Sequence, residues 1–331
     1  MSKLSNQTTS ATAKASPNIA LIKYWGNRNH ALRIPANGSI SITLRSLHTT
    51  TRVTLDPTLE RDQLAIKDAA TSDSARDRAS QLLDEIRIHS PIKTFAHIES
   101  ENNFPMGAGI ASSASAFAAL TVAACEAYGV QRDTTSLSRL ARLASGSAAR
   151  SLCSGFVELH SAEQDEGAFA ESLYAPEHWD LIDIIAVVDT EHKAVSSSDG
   201  HVLADTSPLQ ASRVSDTPRR LDLCRQALAK RDFALLARTT ELDSNMMHAV
   251  MMTSSPPLHY WQPESVMIMK AVERWREEGL EVCYTIDAGP NVHCICTESS
   301  SDEVKHRLHL LGIPLQIYVS TVGPGAMLVS S

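Results

Sequence analysis

The chain has 331 residues, of which 43% are hydrophobic and 21% charged, and its formal net charge is −8. This length predicts one large domain or two medium ones rather than a single small core. The acidic balance, with no run of lysine or arginine, excludes a basic surface for nucleic acid but allows a small phosphorylated substrate. No apolar run is long enough to span a membrane, and residues 1–10 are too polar for a signal peptide, so we expect a cytoplasmic protein without membrane partners.

The six cysteines lie in apolar segments and include no Cys-x-x-Cys pair. This pattern is typical of buried, reduced thiols in a cytosolic protein. The 13 histidines are scattered without the spacing of zinc ligands, so we expect no zinc site.

The first half of the chain mixes strands with helices. Residues 39–44 alternate strictly between apolar and polar, which predicts a strand. Ser39 and Ser41 on its polar face, with Asn37 just before it, either reach a cleft or form a solvated surface. Residues 23–37 are interpreted as an insertion between strands. The other elements predicted here are strands over 12–19, 49–55, 95–100 and 155–160 and helices over 74–88, 112–128 and 135–144.

The second half begins with an apolar, β-branched strand predicted over 179–188. We place the domain boundary just before it, which gives domains of 1–178 and 179–331. The four methionines within 246–252 are interpreted as a flexible core lining. The other elements predicted here are helices over 208–214, 218–230, 233–248, 264–278 and 302–311 and strands over 281–286, 293–297 and 316–321. The elements follow no regular βαβ order, which favours an α+β fold.

Residues 105–117 join a glycine-rich turn to an alanine-rich helix. Gly107 and Gly109 permit backbone angles that other residues avoid, and a helix N-terminus favours a phosphate group. Ser112, Ser113 and Ser115 are in the same stretch and add hydroxyl groups. Tight packing of small residues explains the composition equally well, so both interpretations stay open. No Gly-Lys-Ser/Thr follows the glycines, which excludes a Walker A loop.

Three further stretches carry groups suited to chemistry. An apolar strand ends at Lys23, which is either a surface lysine or a contact for an anion. Residues 145–151 combine serines, a glycine and Arg150, and form either an anion site or a capped helix start with a surface arginine. Asp287 follows another apolar run and precedes Gly289-Pro290, so it is either a turn former or a catalytic carboxylate.

Together these stretches resemble the GHMP kinases, and residues 105–117 resemble their phosphate loop. The Lys-Tyr-Trp-Gly block at 23–26 and the Asp-Ala-Gly-Pro-Asn block at 287–291 are similar to the mevalonate diphosphate decarboxylase branch. Residues 35–44 and 145–151 are similar to the same branch. The resemblance extends from residue 11 to residue 325, nearly the whole chain.

This resemblance implies an α+β, two-lobed GHMP kinase fold. Its N-terminal lobe would be ribosomal protein S5-like, its C-terminal lobe ferredoxin-like, and the active site would lie in the cleft between them. It also implies ATP and Mg²⁺ as cofactors and a homodimer. In the implied reaction, ATP phosphorylates the tertiary C3 hydroxyl of a mevalonate derivative, and phosphate and CO2 then leave to form an alkene. Phosphorylation is needed because a tertiary hydroxide is a very poor leaving group.

The resemblance also assigns roles to residues. Asp287 would act on the C3 hydroxyl, Arg150 would hold the substrate carboxylate, and Lys23 would stabilise the charge of Asp287. The expected substrate-binding residues are Tyr24, Asn27, Ser145, Gly146, Ser147 and Ser197. The expected ATP-binding residues are Pro105, Gly107, Gly109, Ser112, Ser113 and Ser115, with Ser113 as the magnesium ligand.

One departure bears on the substrate. Enzymes of this branch that act on the 5-diphosphate typically carry a lysine at the position of Asn27 and an aspartate at that of Asn29. Losing the lysine removes a charge-assisted contact of roughly 1.5–3 kcal/mol near the diphosphate end. We therefore predict a phosphomevalonate decarboxylase that makes isopentenyl phosphate, with the diphosphate enzyme as the alternative. A mevalonate 3-kinase and a ligand-binding regulatory protein are less favoured, because Lys23, Arg150 and Asp287 occur together.

Overall fold

The computed structural model describes residues 10–104, 112–189, 196–313 and 315–329, which form an α+β protein. The strands are β1 (Ser10–Ala15), β2 (Asn18–Ile22), β3 (Asn27–Asn29), β4 (Ile34–Pro35), β5 (Ser39–Thr43), β6 (Thr49–Leu55), β7 (Gln63–Ile66), β8 (Ala96–Asn102), β9 (Phe156–Leu159), β10 (Ala170–Tyr174), β11 (Leu181–Val187), β12 (Val282–Thr285), β13 (Val292–Thr297), β14 (Gln316–Thr321) and β15 (Met327–Leu328). The helices are α1 (Asp73–Ile88), α2 (Ser112–Ala127), α3 (Thr134–Ala144), α4 (Ala148–Ser151), α5 (Ser197–Leu203), α6 (Gln210–Lys230), α7 (Phe233–Met252), α8 (Pro263–Glu277) and α9 (Glu298–His309).

Three larger sheets organise the described part of the chain. The first has the strand order β15-β1-β6-β8-β7 and the second the order β10-β9-β5-β2. The third has the order β12-β13-β11-β14 and uses strands of the second half only. Strand β15 brings the end of the chain back to β1 of the first sheet, where the two pair antiparallel.

Helix α2 is the centre of the first core. Its residues Ala114, Ala118, Ala119 and Ala123 are fully buried, and the helix packs against β1, β6 and α4. Small side chains let the backbones approach closely, and a helix that is apolar on nearly every side must be buried. The interpretation of a tightly packed alanine-rich helix is therefore confirmed for α2. The glycine-rich residues 105–111 lie outside the described residues.

A second core joins the second and third sheets. Ile19 of β2 and Ile42 of β5 share one buried cluster with Ile185 of β11 and with residues of α6 and α7. On the opposite face of β11, Ile182 and Ile184 pack in a different cluster with α8 and α9. Because side chains alternate along a strand, the third sheet is covered on both faces. Helix α7 contacts both β2 and β12, so it holds the ends of two strands from different sheets.

Three predicted elements, one strand and two helices, differ from the structure. The strand expected over 12–19 is two strands, since β1 pairs with β6 and β2 pairs with β5. Pro17 between them has no N–H for a sheet, so the chain changes sheets there. The helices expected over 208–214 and 218–230 are one helix, α6, with Pro218 inside it. Pro218 has no N–H to donate within the helix. The turns of α6 after Pro218 are buried in the second core, and this packing keeps the helix continuous.

Short elements escape the sequence patterns. The segment 23–37 contains a small hairpin of β3 and β4 rather than a simple insertion. Strands β7, β10 and β15 and helix α5 are also missed, because they offer too few residues for a clear periodic signal. Helix α4 lies in the stretch 145–151, where a helix start was one of the two interpretations. All six cysteines are buried and free, as predicted. Within the described ranges, no helix is both long and apolar enough to cross a membrane.

Candidate active site

Lys23 and Asp287 form a salt bridge where strands of two sheets end. Lys23 directly follows β2, and Asp287 lies two residues beyond β12. The Lys23 Nζ lies 2.5 Å from Asp287 Oδ1, with 1% of the lysine side chain and 28% of the aspartate side chain exposed. Asp287 also accepts the Gly289 N–H at its main-chain carbonyl, so it starts a turn as well. The surface interpretation of Lys23 is therefore wrong, and the Asp287 side chain does more than form a turn.

The pair sets the charge of the carboxylate. Burial raises the pKa of Asp287, but the charge and hydrogen bond of Lys23, with smaller contributions from His293 and Arg150, outweigh it, so the net pKa lies below the ordinary value. Burial also lowers the pKa of Lys23, and Asp287 partly offsets that effect. The arrangement holds an ionised carboxylate at the edge of a buried site, where it can accept a proton or orient a hydroxyl.

Arg150 adds a buried cation beside this pair. It lies on α4 and is 4% exposed, so the surface interpretation is wrong for it too. Its Nε donates to Asn18 Oδ1 at 3.1 Å and its NH1 to Ser39 Oγ at 2.7 Å, and both partners are neutral. Burial lowers its pKa to about 10, with Asp287 and Tyr24 opposing the shift. A buried guanidinium with neutral hydrogen-bond partners is suited to a carboxylate or phosphate.

Residues of β5 and of the segment just before it bind Lys23 and Arg150. Asn37, Ser39 and Ser41 are 3%, 0% and 0% exposed, so the alternative of a solvated surface is wrong. Asn37 Nδ2 donates to the Lys23 carbonyl at 2.9 Å. Ser39 accepts from Arg150 as described above. Asn37 and Ser39 therefore hold Lys23 and Arg150 in place, whereas the buried Ser41 hydroxyl has no hydrogen-bond partner within the described residues.

A group of hydroxyls lies at the start of α2. Ser113 Oγ donates to Ser145 Oγ at 3.1 Å, and Ser145 Oγ lies 3.4 Å from Ser147 Oγ. The first turn of α2 carries no acidic residue, which leaves the positive end of this helix free of a side-chain anion. Ser115 does not join the group, because it is fully buried and bonded to Thr49 Oγ1 at 2.6 Å. Ser112 is half-buried at the first position of the helix.

Tyr24 lies between this cluster of serine hydroxyls and the hairpin of β3 and β4. Its hydroxyl donates to Asn27 Oδ1, and both residues are 7% exposed. Burial raises the pKa of Tyr24 to about 12. Gly146 is required here, since a Cβ at that position would overlap the Tyr24 ring. Tyr24, Asn27, Gly146 and the serines at 145 and 147 are thus brought together, as the resemblance implies.

His201 is a site residue that the sequence does not reveal. Its ring lies 4.2 Å from that of Tyr24 and 4.6 Å from that of Trp25, between centroids. Its Nδ1 accepts the Gly26 N–H at 3.0 Å, and burial lowers its pKa to about 3, so it is neutral. The preceding residue, Gly200, leaves room for Trp25, because a Cβ there would lie 2.6 Å from the indole. A lone histidine after a serine-rich stretch carries no motif that could have identified it.

The remaining predicted residues fall at the edges of the described site. Ser197 is exposed at the start of α5, which is capped by Ser196. Pro105, Gly107 and Gly109 lie outside the described residues, as do residues 190–195 immediately before Ser196.

Comparison with known proteins identifies the family. The model of the diphosphomevalonate decarboxylase-like N-terminal domain matches residues 15–170, and that of the mevalonate 5-diphosphate decarboxylase C-terminal domain matches residues 183–318. Diphosphomevalonate decarboxylase of Candida albicans is 37% identical over 326 residues, which covers 92% of this chain and 90% of that protein. The Homo sapiens protein of the same name is 36% identical over 303 residues, covering 85% of this chain and 75% of its own.

Solved structures agree with these matches. Mevalonate diphosphate decarboxylase from Staphylococcus aureus superimposes with a TM-score of 0.92 at 35% identity, covering 98% of this chain and 99% of that one. A structure described as MDDEF in complex with MVAPP, AMPPCP and magnesium has a TM-score of 0.92 at 32% identity, covering 98% and 100%. The predicted GHMP kinase fold is therefore confirmed.

The predicted phosphomevalonate specificity is contradicted by these comparisons, because the relatives that span most of the chain are named for the diphosphate. That prediction depended on the missing lysine at Asn27. In the structure Asn27 binds the Tyr24 hydroxyl, and the positive charges of Arg33, Arg142 and Arg150 all act on that hydroxyl. Positive charge therefore reaches the Tyr24 hydroxyl from residues other than a lysine at position 27.

The two family models together match both halves of the chain, and relatives above 30% identity span most of it. Their shared name gives the reaction class, that of carbon–carbon lyases that remove CO2. The salt bridge of Lys23 and Asp287, with Arg150 beside it, lies in the candidate site of this chain. The chain belongs to the diphosphomevalonate decarboxylase family of ATP-dependent decarboxylases.

Proposed function

We propose that this chain converts mevalonate 5-diphosphate and ATP to isopentenyl diphosphate, CO2, ADP and phosphate, in the mevalonate pathway of isoprenoid biosynthesis. The observation that carries the proposal is the salt bridge between buried Lys23 and partly exposed Asp287, beside Arg150. In this reaction the C3 oxygen takes the γ-phosphoryl group, and the C3–O bond then breaks as phosphate leaves. The C1–C2 bond breaks as CO2 leaves, and its electron pair becomes the C2–C3 double bond.

Asp287 is the proposed group at the C3 hydroxyl. Its pKa lies below the ordinary carboxyl value, so it is ionised at neutral pH and can accept the hydroxyl hydrogen. Lys23 maintains that ionisation and is held 2.5 Å away. Whether the proton transfers fully or the carboxylate only orients the hydroxyl, the same two side chains are required.

Arg150 is the proposed contact for the C1 carboxylate of the substrate. Its neutral partners Asn18 and Ser39 fix the direction of the guanidinium without satisfying its charge. A bound carboxylate would therefore meet a cation that is already oriented, which limits the entropy lost on binding. As CO2 forms, the negative charge on this group disappears, so the ion pair with Arg150 is lost and does not retain the CO2.

The start of α2 is the proposed site for the ATP phosphates, together with Pro105, Gly107 and Gly109. The first turn of α2 lacks an acid, and Ser112 and Ser113 offer hydroxyls there. Within the described residues no cluster of histidine, cysteine, aspartate or glutamate could hold a metal, so a hydroxyl such as that of Ser113 fits a magnesium bound mainly by phosphates. Bound Mg²⁺ would neutralise charge on the transferred phosphoryl group. Ser115 is the weakest member of the proposed set, because it is bonded to Thr49.

The diphosphate tail is proposed to bind near Tyr24. Asn27, Ser145, Gly146 and Ser147 gather there, and Ser197 begins the helix that carries His201. Arg33 and Arg142 contribute positive charge to the same end. Hydroxyls, amides and nearby guanidinium groups together suit a multiply charged anion.

The specificity is tested by comparing kcat/KM for mevalonate, its 5-phosphate and its 5-diphosphate on one enzyme preparation. The proposal predicts that the diphosphate is preferred over the monophosphate by about tenfold or more, a difference of about 1.4 kcal/mol. An equal or greater kcat/KM for the monophosphate would overturn the proposed substrate. Release of ADP without CO2 would instead favour a 3-kinase.

We further propose that the enzyme is a cytoplasmic homodimer whose two lobes divide between residues 178 and 179. Six buried free thiols support a reducing compartment. The dimer rests on the family resemblance and is tested by light scattering of the purified protein, where a single-chain mass would contradict it. Limited proteolysis tests the boundary, since the proposal predicts cleavage close to residue 178.

A further inference from the structure

Helix α7 presents a row of buried polar residues to the two strand ends that carry Lys23 and Asp287. These residues are Asp243, Ser244 and His248, which are 0%, 0% and 1% exposed. The proposed reaction assigns them no part. A buried polar side chain is kept in a fold by its hydrogen bonds, so the partners of these residues indicate what they do.

Asp243 holds the backbone of Lys23. Its Oδ2 accepts the Lys23 N–H at 2.6 Å, and its Oδ1 accepts from Arg220 Nε at 2.7 Å. Arg213 donates from NH2 to the Lys23 carbonyl at 2.8 Å and from NH1 to Asn37 Oδ1 at 3.0 Å. Both main-chain polar groups of Lys23 are therefore bound by buried charged groups, which restrict the point from which its side chain extends.

Ser244 and His248 hold the residue just before Asp287. Ser244 Oγ accepts the Ile286 N–H at 3.0 Å, and His248 Nε2 lies 3.2 Å from the Ile286 carbonyl. A carbonyl oxygen can only accept, so Nε2 donates this hydrogen bond. Both main-chain polar groups of Ile286 are therefore fixed to α7, as both of those of Lys23 are fixed to Asp243 and Arg213.

We propose that Asp243, Ser244 and His248 are positioning residues, through which α7 sets the separation of the Lys23 ammonium and the Asp287 carboxylate. The same helix binds the backbone of Lys23 and that of Ile286, next to Asp287, and so lies on both sides of the 2.5 Å contact between Lys23 and Asp287. Catalytic groups must be held to within about 0.5 Å of their working geometry, and side chains on rigid elements do this better than loops. The inference rests on the proposed roles of Lys23 and Asp287, and the three residues act on them through the backbone of Lys23 and of Ile286.

The test replaces Ser244, whose loss removes one hydroxyl and least disturbs the fold. Ser244→Ala frees the Ile286 N–H, so Asp287 can move away from Lys23. A shift of about 1 Å can lower turnover by about 10²-fold. We expect kcat to fall about tenfold to 10²-fold while KM for ATP and for mevalonate 5-diphosphate changes little. Ser244→Thr keeps the hydroxyl and is expected to restore most of kcat.

His248 and a matched control complete the set. His248→Gln places an amide N–H near the former Nε2 position and is expected to retain more kcat than His248→Leu, which has no donor. The control is Thr239→Val on the same helix, because Thr239 is 3% exposed and its hydroxyl bonds to Leu235 O of its own helix. This control is expected to keep kcat even if it lowers the melting temperature.

A pH profile separates positioning from a general loss of stability. The charged or titratable groups around Asp287 are Lys23 after β2, Arg150 on α4, His293 on β13 and His248 on α7. When the contact with Lys23 loosens, the pKa of Asp287 rises, so the acidic limb of kcat against pH should move to higher pH in Ser244→Ala. Thr239→Val should leave that limb where it is.

The possible outcomes distinguish this inference from the proposed function. A fall in kcat with a displaced acidic limb in Ser244→Ala, both reversed in Ser244→Thr, supports it. A kcat and limb unchanged in Ser244→Ala and His248→Leu would overturn it while leaving the proposed function intact. Full activity in Asp287→Asn would overturn the proposed role of Asp287, on which this inference rests. No CO2 release from mevalonate 5-diphosphate and ATP by the unmodified protein would overturn the proposed function itself.

Discussion

The Lys23 ammonium lies 2.5 Å from the Asp287 carboxylate, although the two residues are 264 positions apart in the chain. Lys23 follows β2 of the second sheet, and Asp287 lies just beyond β12 of the third. Their contact exists only when both sheets are formed and α7 lies across their ends. The paired charges at the site are therefore a product of the tertiary fold rather than of any local motif.

Removing the ammonium should disable the carboxylate. In Lys23→Met, burial continues to raise the pKa of Asp287 while the largest opposing contribution is lost. We expect the acidic limb of kcat against pH to move upward and kcat at neutral pH to fall by about 10²- to 10⁴-fold. Lys67→Met, at an exposed lysine paired with Glu101, is the control and should keep both values. An acidic limb unmoved in Lys23→Met would contradict this prediction.

Replacing Arg150 should weaken the substrate site without affecting ATP binding. Arg150→Gln removes the buried cation and leaves Asn18 and Ser39 without their donor. We expect kcat/KM for the mevalonate substrate to fall by about 10²-fold or more, with KM for ATP nearly unchanged. Arg150→Lys should recover little, because an ammonium cannot reproduce the fork of a guanidinium. If Arg150→Gln weakened the use of the mevalonate substrate and of ATP equally, Arg150 would instead act by stabilising the fold.

A methyl group at Gly146 should displace Tyr24. The added Cβ of Gly146→Ala would overlap the Tyr24 ring, so we expect a lower melting temperature and a higher KM for the diphosphate substrate. Tyr24→Leu removes the ring and provides the second arm of a double-mutant cycle. In that background Gly146→Ala should cost much less stability. Additive losses of stability would mean that the two residues do not interact.

Two buried histidines predict how the stability of the fold depends on pH. Burial lowers the pKa of His201 to about 3 and that of His248 to about 3. In the unfolded chain each titrates near about 6.5. Below that pH the unfolded state binds protons that the folded state does not. The free energy of unfolding should therefore decrease as the pH falls, by up to about 1.4 kcal/mol per pH unit for each histidine.

Urea unfolding between about pH 6.5 and about pH 5, above the range of ordinary carboxylates, measures this slope. His201→Asn keeps an acceptor for the Gly26 N–H but removes one titrating group. Its slope should be smaller than that of the unmodified protein by the contribution of one histidine. A control, His309→Asn, replaces an exposed histidine at the end of α9 and should leave the slope unchanged. Equal slopes in all three proteins would contradict the prediction.

The sequence predicts the larger elements and singles out Lys23, Arg150 and Asp287 because these leave strong patterns. Strict alternation at 39–44 and helical spacing at 74–88 and 264–278 correspond to β5, α1 and α8. Lys23, Arg150 and Asp287 each stand in a distinctive block that the family resemblance identifies. The division at 178 and the roles of the individual site residues remain predictions.

Other features depend on tertiary contacts that no local pattern encodes. His201 has no motif, and its role follows only from its position between Tyr24 and Trp25. Asp243 and Ser244 lie in an ordinary helix, and the backbone groups that they bind, those of Lys23 and Ile286, are more than 40 positions away. Asn27 misled the substrate prediction because other positive charges act on the neighbouring Tyr24 hydroxyl, and two of their sources, Arg142 and Arg150, are distant in the sequence.

The most direct test of the proposed reaction measures CO2 and ADP together. Mevalonate 5-diphosphate labelled at C1 is incubated with ATP and Mg²⁺, and both products are counted for the unmodified enzyme and for Asp287→Asn. We predict one CO2 for each ADP, and a loss of both by about 10²- to 10⁴-fold in Asp287→Asn. ADP without CO2, or an Asp287→Asn variant as active as the unmodified enzyme, would contradict the assignment of ATP-dependent decarboxylation to this pair of residues.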